Sequence, residues 1–197
     1  MTIEHPIGPS TAAASVVIDK FDYDFGPRST SALERSTDPG RAGAVAALQT
    51  FYYALNHRDL PALAAVWADH DLVQLNNPVG GLLRSKPSVE DLYRRIFASD
   101  IGLQVTFTDA VTYAWAPAVV FAGRELASYL SARDSDTDEG RHEVALTIRT
   151  TRVFGFSSKE GRWMQLHHHG SIDSPNALHD YREAVRAGAR AGNSDGG

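Results

Sequence analysis

Apolar and polar positions alternate most regularly in the last third of the chain, and the alternation there predicts two neighbouring strands. From Arg162 to Ile172, a strand places Met164, Leu166, His168, Gly170 and Ile172 on one face, and Trp163, Gln165, His167, His169 and Ser171 on the other. From Val144 to Phe156 the same parity sets Val144, Leu146, Ile148, Thr150, Arg152, Phe154 and Phe156 against Ala145, Thr147, Arg149, Thr151 and Val153. Ser157 to Gly161 is a turn signal, so the two strands should form a hairpin. One charge, Arg152, lies on the apolar face. A guanidinium facing a covered surface must be paired or look into a wet hollow, because burying it alone is prohibitive. A pocket faced by Arg152 and His168 is therefore expected.

Upstream the period changes to that of helices. Val45, Leu48, Phe51, Tyr52 and Leu55 share one stripe of a helix over Ala44 to His57. Asp59 caps a second, with Pro61 in its first turn and Leu60, Leu63, Ala64 and Trp67 facing inward. Asp71 to Asn76 reads as a short strand stopped by Asn77-Pro78 and Gly80-Gly81, and Ser88 with Asp91 suggests a capping box for a third helix. Leu103 to Ala114 alternates, with Leu103, Val105, Phe107, Val111 and Tyr113 together on one face. A strand over Ala118 to Ser131 follows, then a charged turn at Asp134 to Gly140. Ser174-Pro175 opens a final helix to Ala187, and Asn193 to Gly197 reads as a disordered tail.

The division expected is an extension over 1–40 with a strand at 16–25, a domain over 41–173, and a C-terminal helix and tail over 174–197. The arm should add to a sheet edge or lie across a partner subunit. Helices followed by a run of antiparallel strands give an α+β class in which a curved sheet wraps the helices.

Composition narrows the functional field. A chain of 197 residues with 43% hydrophobic residues suits one domain with a substantial core. With no cysteine, thiolate chemistry and disulfides are excluded. The net charge of -5, with basic residues scattered, argues against nucleic acid as a partner. No apolar run is long enough to span a membrane, and the amino terminus lacks the pattern of a secretory signal, so the cytoplasm is expected. Gly80-Gly81 has no phosphate-loop context, and no nicotinamide or flavin motif is present, so no cofactor is expected.

Several words of the sequence resemble the nuclear transport factor 2-like superfamily, and within it the SnoaL-like proteins related to the association domain of calcium/calmodulin-dependent kinase. They are Ala54 to Leu60, Val66 to Asp69, Asn77 to Gly80, Arg149 to Phe154, and Trp163 to Ser171. The resemblance implies the cystatin-like fold, a cone-shaped barrel in which a strongly curved antiparallel sheet wraps three helices, and which hosts isomerases, dehydratases, cyclases and assembly domains alike. Ketosteroid isomerases of this superfamily use a tyrosine donor, an aspartate base and a protonated aspartic acid. The matching positions here carry Phe51, Asn77 and Arg152, which cannot play those roles, so that chemistry is rejected. An arginine at the Arg152 position resembles the kinase association domain and implies affinity for a small carboxylate or other anion.

The expected ligand site therefore contains Arg152, Glu125, Asn77, Trp67, Tyr52, Tyr93, Tyr129 and Thr150, with His168 and Arg152 as the candidate catalytic pair of a cofactor-independent lyase, hydratase or isomerase. Arg152 reads equally as a carboxylate anchor and as the internal partner of Glu125. Asn77 reads either as a ligand contact or as a turn residue bonding the backbone before Pro78. His167 and His169 have the spacing of a metal pair, but a third ligand is not evident. No metal is expected, and these histidines, with Trp163, read instead as part of an outer sheet face that pairs in a homodimer. The alternative to a ligand-binding protein is a non-catalytic association module.

Overall fold

The computed structural model describes residues 15–99, 102–130, 143–174, 176, 179, 180, 182 and 183. Among these residues seven strands form one sheet in the order β1-β4-β5-β6-β7-β2-β3. They are β1 (Val17–Phe21), β2 (Gln74–Asn76), β3 (Leu82–Arg84), β4 (Gly102–Trp115), β5 (Ala118–Leu130), β6 (Glu143–Ser157) and β7 (Arg162–Ile172). The helices α1 (Arg41–His57), α2 (Leu60–Val66) and α3 (Lys86–Ala98) complete a mixed α+β fold among the described residues, with a short 3-10 turn at Leu33–Thr37. The sheet curls without closing, so the expected barrel is instead an open, curved sheet with β1 and β3 at its edges. Nor is it wholly antiparallel, because β2 runs parallel to β7.

Local chemistry accounts for the helix boundaries. Asp59 accepts the Ala62 amide at 2.9 Å and caps α2. The cap of α3 is Ser85, three residues before the expected Ser88, and its hydroxyl accepts the Ser88 amide. Pro87 explains the shift, since a proline fits the first helical turn, where no amide proton is needed. The charged turn at Asp134 to Gly140 and the tail at Asn193 to Gly197 lie outside the described residues. Of the final helix, helical backbone is described at Asn176, His179, Asp180, Arg182 and Glu183.

The arm strand β1 pairs antiparallel with β4 along Val17 to Phe21, and Phe25 bridges Phe107 farther on. Phe21 and Phe25 are buried in the core, whereas Tyr23 between them is exposed where the pairing lapses. The core lies between the inner sheet face and α1, where Leu48, Phe51, Tyr52 and Leu55 meet Phe107, Phe121 and Phe154. Gly43 of α1 packs so closely on the chain before it that a Cβ would sit 1.9 Å from the Asp38 carbonyl oxygen.

Two β-bulges reset the parity of the strands. In β4 the register with β5 shifts between Thr108 and Val111, where Asp109 takes a φ of 48°. Beyond it Ala110 and Thr112 point inward, while Val111 and Tyr113, both expected inside, do not. Gly123 lies opposite, and a Cβ there would be 2.6 Å from that of Ala110. In β7 the register with β6 shifts so that Val153 faces His167 but Phe154 faces Gln165, leaving Leu166 as the extra residue. Leu166, expected inside, is 40% exposed, and Gln165, expected outside, is fully buried. Trp163, expected on the outer face, is buried too, stacked edge-on against Phe156 and donating its indole N–H to the Asp38 carbonyl at 2.9 Å.

Candidate functional site

The inner faces of β5, β6 and β7 present Glu125, Thr150, Arg152, Gln165 and His168 to one another, all of them buried. Register brings them together, since Arg152 lies opposite His168, and Phe121 of β5 pairs with Arg152. The β7 bulge adds Gln165, which regular alternation would have turned to solvent. Strand parity did place Arg152 and His168 on the inner face.

Arg152 is 1% exposed and fully engaged. Its Nη2 donates to Glu125 Oε1 at 2.7 Å, its Nε to the Tyr52 hydroxyl at 2.8 Å, and its Nη1 to Gln165 Oε1 at 3.1 Å. The Phe51 ring lies beneath the guanidinium, its centroid 3.7 Å from Cζ, an attractive cation–π placement. Tyr52 in turn donates to Glu125 Oε1 at 2.7 Å. Burial opposes the charge on Arg152, but the Tyr52 and Glu125 oxygens outweigh it and hold its pKa above the ordinary value. Burial raises the pKa of Tyr52 and Tyr93 well above that of a free phenol, so both stay protonated donors.

His168 completes the cluster. Its Nε2 lies 3.0 Å from Thr150 Oγ1 and 3.9 Å from Glu125 Oε1. Burial first, then the charges of Arg152, His167 and His169, keep its pKa well below the ordinary histidine value, so it is neutral at pH 7. Three buried polar atoms around this network have no protein partner: Trp67 Nε1, Gln165 Nε2 and His168 Nδ1. Trp67 belongs to the same neighbourhood, because its backbone bridges Gln165.

The remaining expected residues divide. Tyr93 is buried edge-on against Phe51, with ring centroids 6.1 Å apart. Tyr129 packs at the margin of the core. The Asn77 side chain accepts the Val79 amide at 3.3 Å within the turn that Gly81 closes, the local role read as one of its two alternatives. His169 is exposed and its ring contacts the Asn76 amide at 3.1 Å; His167 is half-buried, and burial and the His169 charge lower its pKa. Among the described residues no group of three or more His, Asp or Glu is arranged to hold a metal. Two surface depressions, of about 320 and 1190 Å³, lie along the arm and α1, lined among others by Tyr23, Phe25, Arg41 and Gln49. Neither touches Arg152.

Two contributors were not foreseen in these roles. Gln165 was hidden by the bulge, which no local residue pattern announces. Tyr52 was expected as a wall, yet it is the hydroxyl that ties α1 to the ion pair.

The family model for the SnoaL-like domain matches residues 45–175. Among solved structures, a proposed dehydratase of the nuclear transport factor 2-like family from Streptomyces avermitilis is 22% identical, covering 66% of this chain and 93% of that one with a TM-score of 0.57. A protein with a cystatin-like fold from Caulobacter vibrioides is 18% identical, covering 74% of this chain and 94% of that one, TM-score 0.53. A proposed calcium/calmodulin-dependent protein kinase II association domain from Xanthomonas campestris is 22% identical, covering 69% and 89%, TM-score 0.51. At these identities the likeness is one of fold. No curated protein matches the sequence.

Proposed function

This chain belongs to the SnoaL-like domain family, and from that premise we propose that it binds a small organic molecule through a carbonyl or carboxylate oxygen at the Arg152 cluster. The observation that carries this reading is the set of buried polar atoms without partners, Trp67 Nε1, Gln165 Nε2 and His168 Nδ1, beside a network otherwise saturated. Buried donors and acceptors are rarely left unpaired, and a bound carbonyl or carboxylate oxygen would satisfy the Trp67 and Gln165 donors. Because Glu125 already neutralises Arg152, the site accepts a neutral carbonyl compound as readily as an acid.

If the ligand is turned over, the reaction class is a cofactor-independent lyase, hydratase or isomerase, with His168 as the acid–base group and Arg152 acting beside it by orienting the Gln165 amide toward the oxygen. A cytoplasmic setting belongs to this reading, since no cysteine calls for an oxidising compartment. Among the described residues, no helix is long and apolar enough to cross a membrane.

The test is a thermal-shift screen of small acids, ketones and aromatic carbonyl compounds, with mass spectrometry of whatever co-purifies. Binding predicts a saturable rise in melting temperature that an Arg152→Met, Glu125→Leu double variant loses. No shift from any such compound would reject the reading.

A second reading, self-association, has its own support. Leu126 and Leu166 are exposed on the outer sheet face at 49% and 40%, on the side that carries His167 and His169. We propose that this face pairs in a homodimer, now without Trp163, which is turned inward. A monomer at micromolar concentration by sedimentation would reject it.

A further inference from the structure

The hydrogen-bond geometry around His168 specifies more of the ligand than an oxygen. Thr150 Oγ1 lies between His168 Nε2 at 3.0 Å and Glu125 Oε1 at 3.4 Å. The carboxylate can only accept, so the threonine hydroxyl donates to it and offers its lone pair to the ring. The Nε2 atom also lies 3.9 Å from that carboxylate, where an imidazole lone pair would face negative charge and an N–H would face attraction. Both contacts therefore put the ring proton on Nε2 and leave Nδ1 as a bare acceptor. Nδ1 is buried and without a partner.

The other two unpartnered atoms have the opposite character. The Gln165 amide is oriented by Arg152, whose Nη1 must face the amide oxygen at 3.1 Å, so the NH2 group points elsewhere as a donor. The Trp67 indole N–H can only donate. Trp67 and Gln165 are bridge partners, and Gln165 and His168 flank the β7 bulge at Leu166 on the same inner face. The cluster thus presents two free donors and one free acceptor.

Resting on the carbonyl-binding reading above, we infer that the site selects hydroxy-carbonyl compounds, hydroxyketones or hydroxy acids, whose carbonyl oxygen receives the Gln165 and Trp67 protons while the hydroxyl donates to His168 Nδ1. Thr150 is then a positioning residue, acting through the ring proton it holds on Nε2. A simple ketone or acid leaves Nδ1 unpaired and a simple alcohol leaves the two donors underused. Either loses affinity relative to the hydroxy-carbonyl of the same size.

The experiment compares hydroxyacetone with acetone, and lactate with propionate, by calorimetric or NMR titration of the full chain, alongside 15N NMR of the histidine rings. The expected result is an affinity about tenfold or more higher for each hydroxy compound, as loss of one buried hydrogen bond implies. That ratio collapses in His168→Phe. In the milder Trp67→Phe, which keeps an aromatic ring in place, all four probes weaken and the ratio persists. The ring spectrum should show a pyrrole-type Nε2 and a pyridine-type Nδ1 at His168, and Thr150→Val should blur that distinction. Equal affinities within each pair overturn the hydroxyl selection but leave carbonyl binding standing. A proton on Nδ1 overturns it whatever the variants do. If none of the four probes binds, and Nδ1 is satisfied only by a buried water, this selection is rejected together with the reading on which it rests.

Discussion

Removing Arg152 is the perturbation whose energetic consequences the structure specifies most fully. In Arg152→Met the Glu125 carboxylate, 4% exposed, loses its only cationic partner among the described residues and keeps two neutral donors, Tyr52 and Thr150. Breaking a buried ion pair from one side typically costs about 3–5 kcal/mol, because the remaining charge stays desolvated. The Tyr52 hydroxyl and Gln165 Oε1 each lose a donor as well. Against a total stability of about 5–15 kcal/mol for a domain, the single variant should be severely weakened. In Arg152→Met, Glu125→Leu the stranded charge is gone, so most of the loss should return, and the two substitutions should couple by about 2–3 kcal/mol. Urea unfolding followed by circular dichroism measures all four corners of this cycle. A cost below about 1 kcal/mol for Arg152→Met, or a double variant as weak as the sum of the singles, would refute the buried-pair argument.

Further perturbations address other parts of the structure. Gly123→Ala forces a methyl against Ala110 Cβ and the Thr108 carbonyl, and should cost about 1–3 kcal/mol, read by chemical denaturation. Gly43→Ala would drive a methyl into the Asp38 carbonyl, so it should lower the melting temperature and quench the Trp163–Asp38 contact seen by indole NMR. The depressed pKa of His168 has a defined sign: above the ordinary histidine pKa of about 6.5 both folded and unfolded rings are neutral and nothing is gained or lost. Below it only the unfolded ring takes a proton, so stability should fall by up to about 1.4 kcal/mol per pH unit, and His168→Gln should flatten that fall. Leu126→Glu should abolish self-association in sedimentation without changing the melting temperature of the monomer by more than a degree or two, since Leu126 is half exposed.

Much of this was legible in the sequence because it follows from short-range periodicity. The bounds of β7, Arg162 to Ile172, agree with its alternation, and Arg152, the one charge on the apolar face of β6, pointed correctly to Glu125 on the neighbouring strand. Parity failed where the two bulges intervene, at Asp109 and at Leu166, because a bulge is settled by pairing with another strand and not by the residues on either side. That one-residue shift is why Gln165 and Trp163 moved inward and Leu166 outward. The short β3 escaped the sequence pattern because three residues carry little alternation, and the β2 strand, expected within Asp71 to Asn76, gave no local sign that it would pair parallel to β7. Histidine runs draw the eye, yet the three rings of β7 divide between a buried His168, whose pKa burial holds well below the ordinary value, and two neighbours nearer solvent.

The chain has three tryptophans, Trp67, Trp115 and Trp163, and their indole N–H signals report directly on the central claim. Trp67 Nε1 is buried and unpartnered, Trp163 Nε1 is bonded to Asp38, and Trp115 is 38% exposed. In a two-dimensional 15N–1H titration with lactate, assigned through Trp67→Phe, the Trp67 signal alone should move downfield and saturate as a carbonyl oxygen takes its proton. A Trp67 signal that stays still at saturating ligand, or a shift confined to Trp115, would contradict the account.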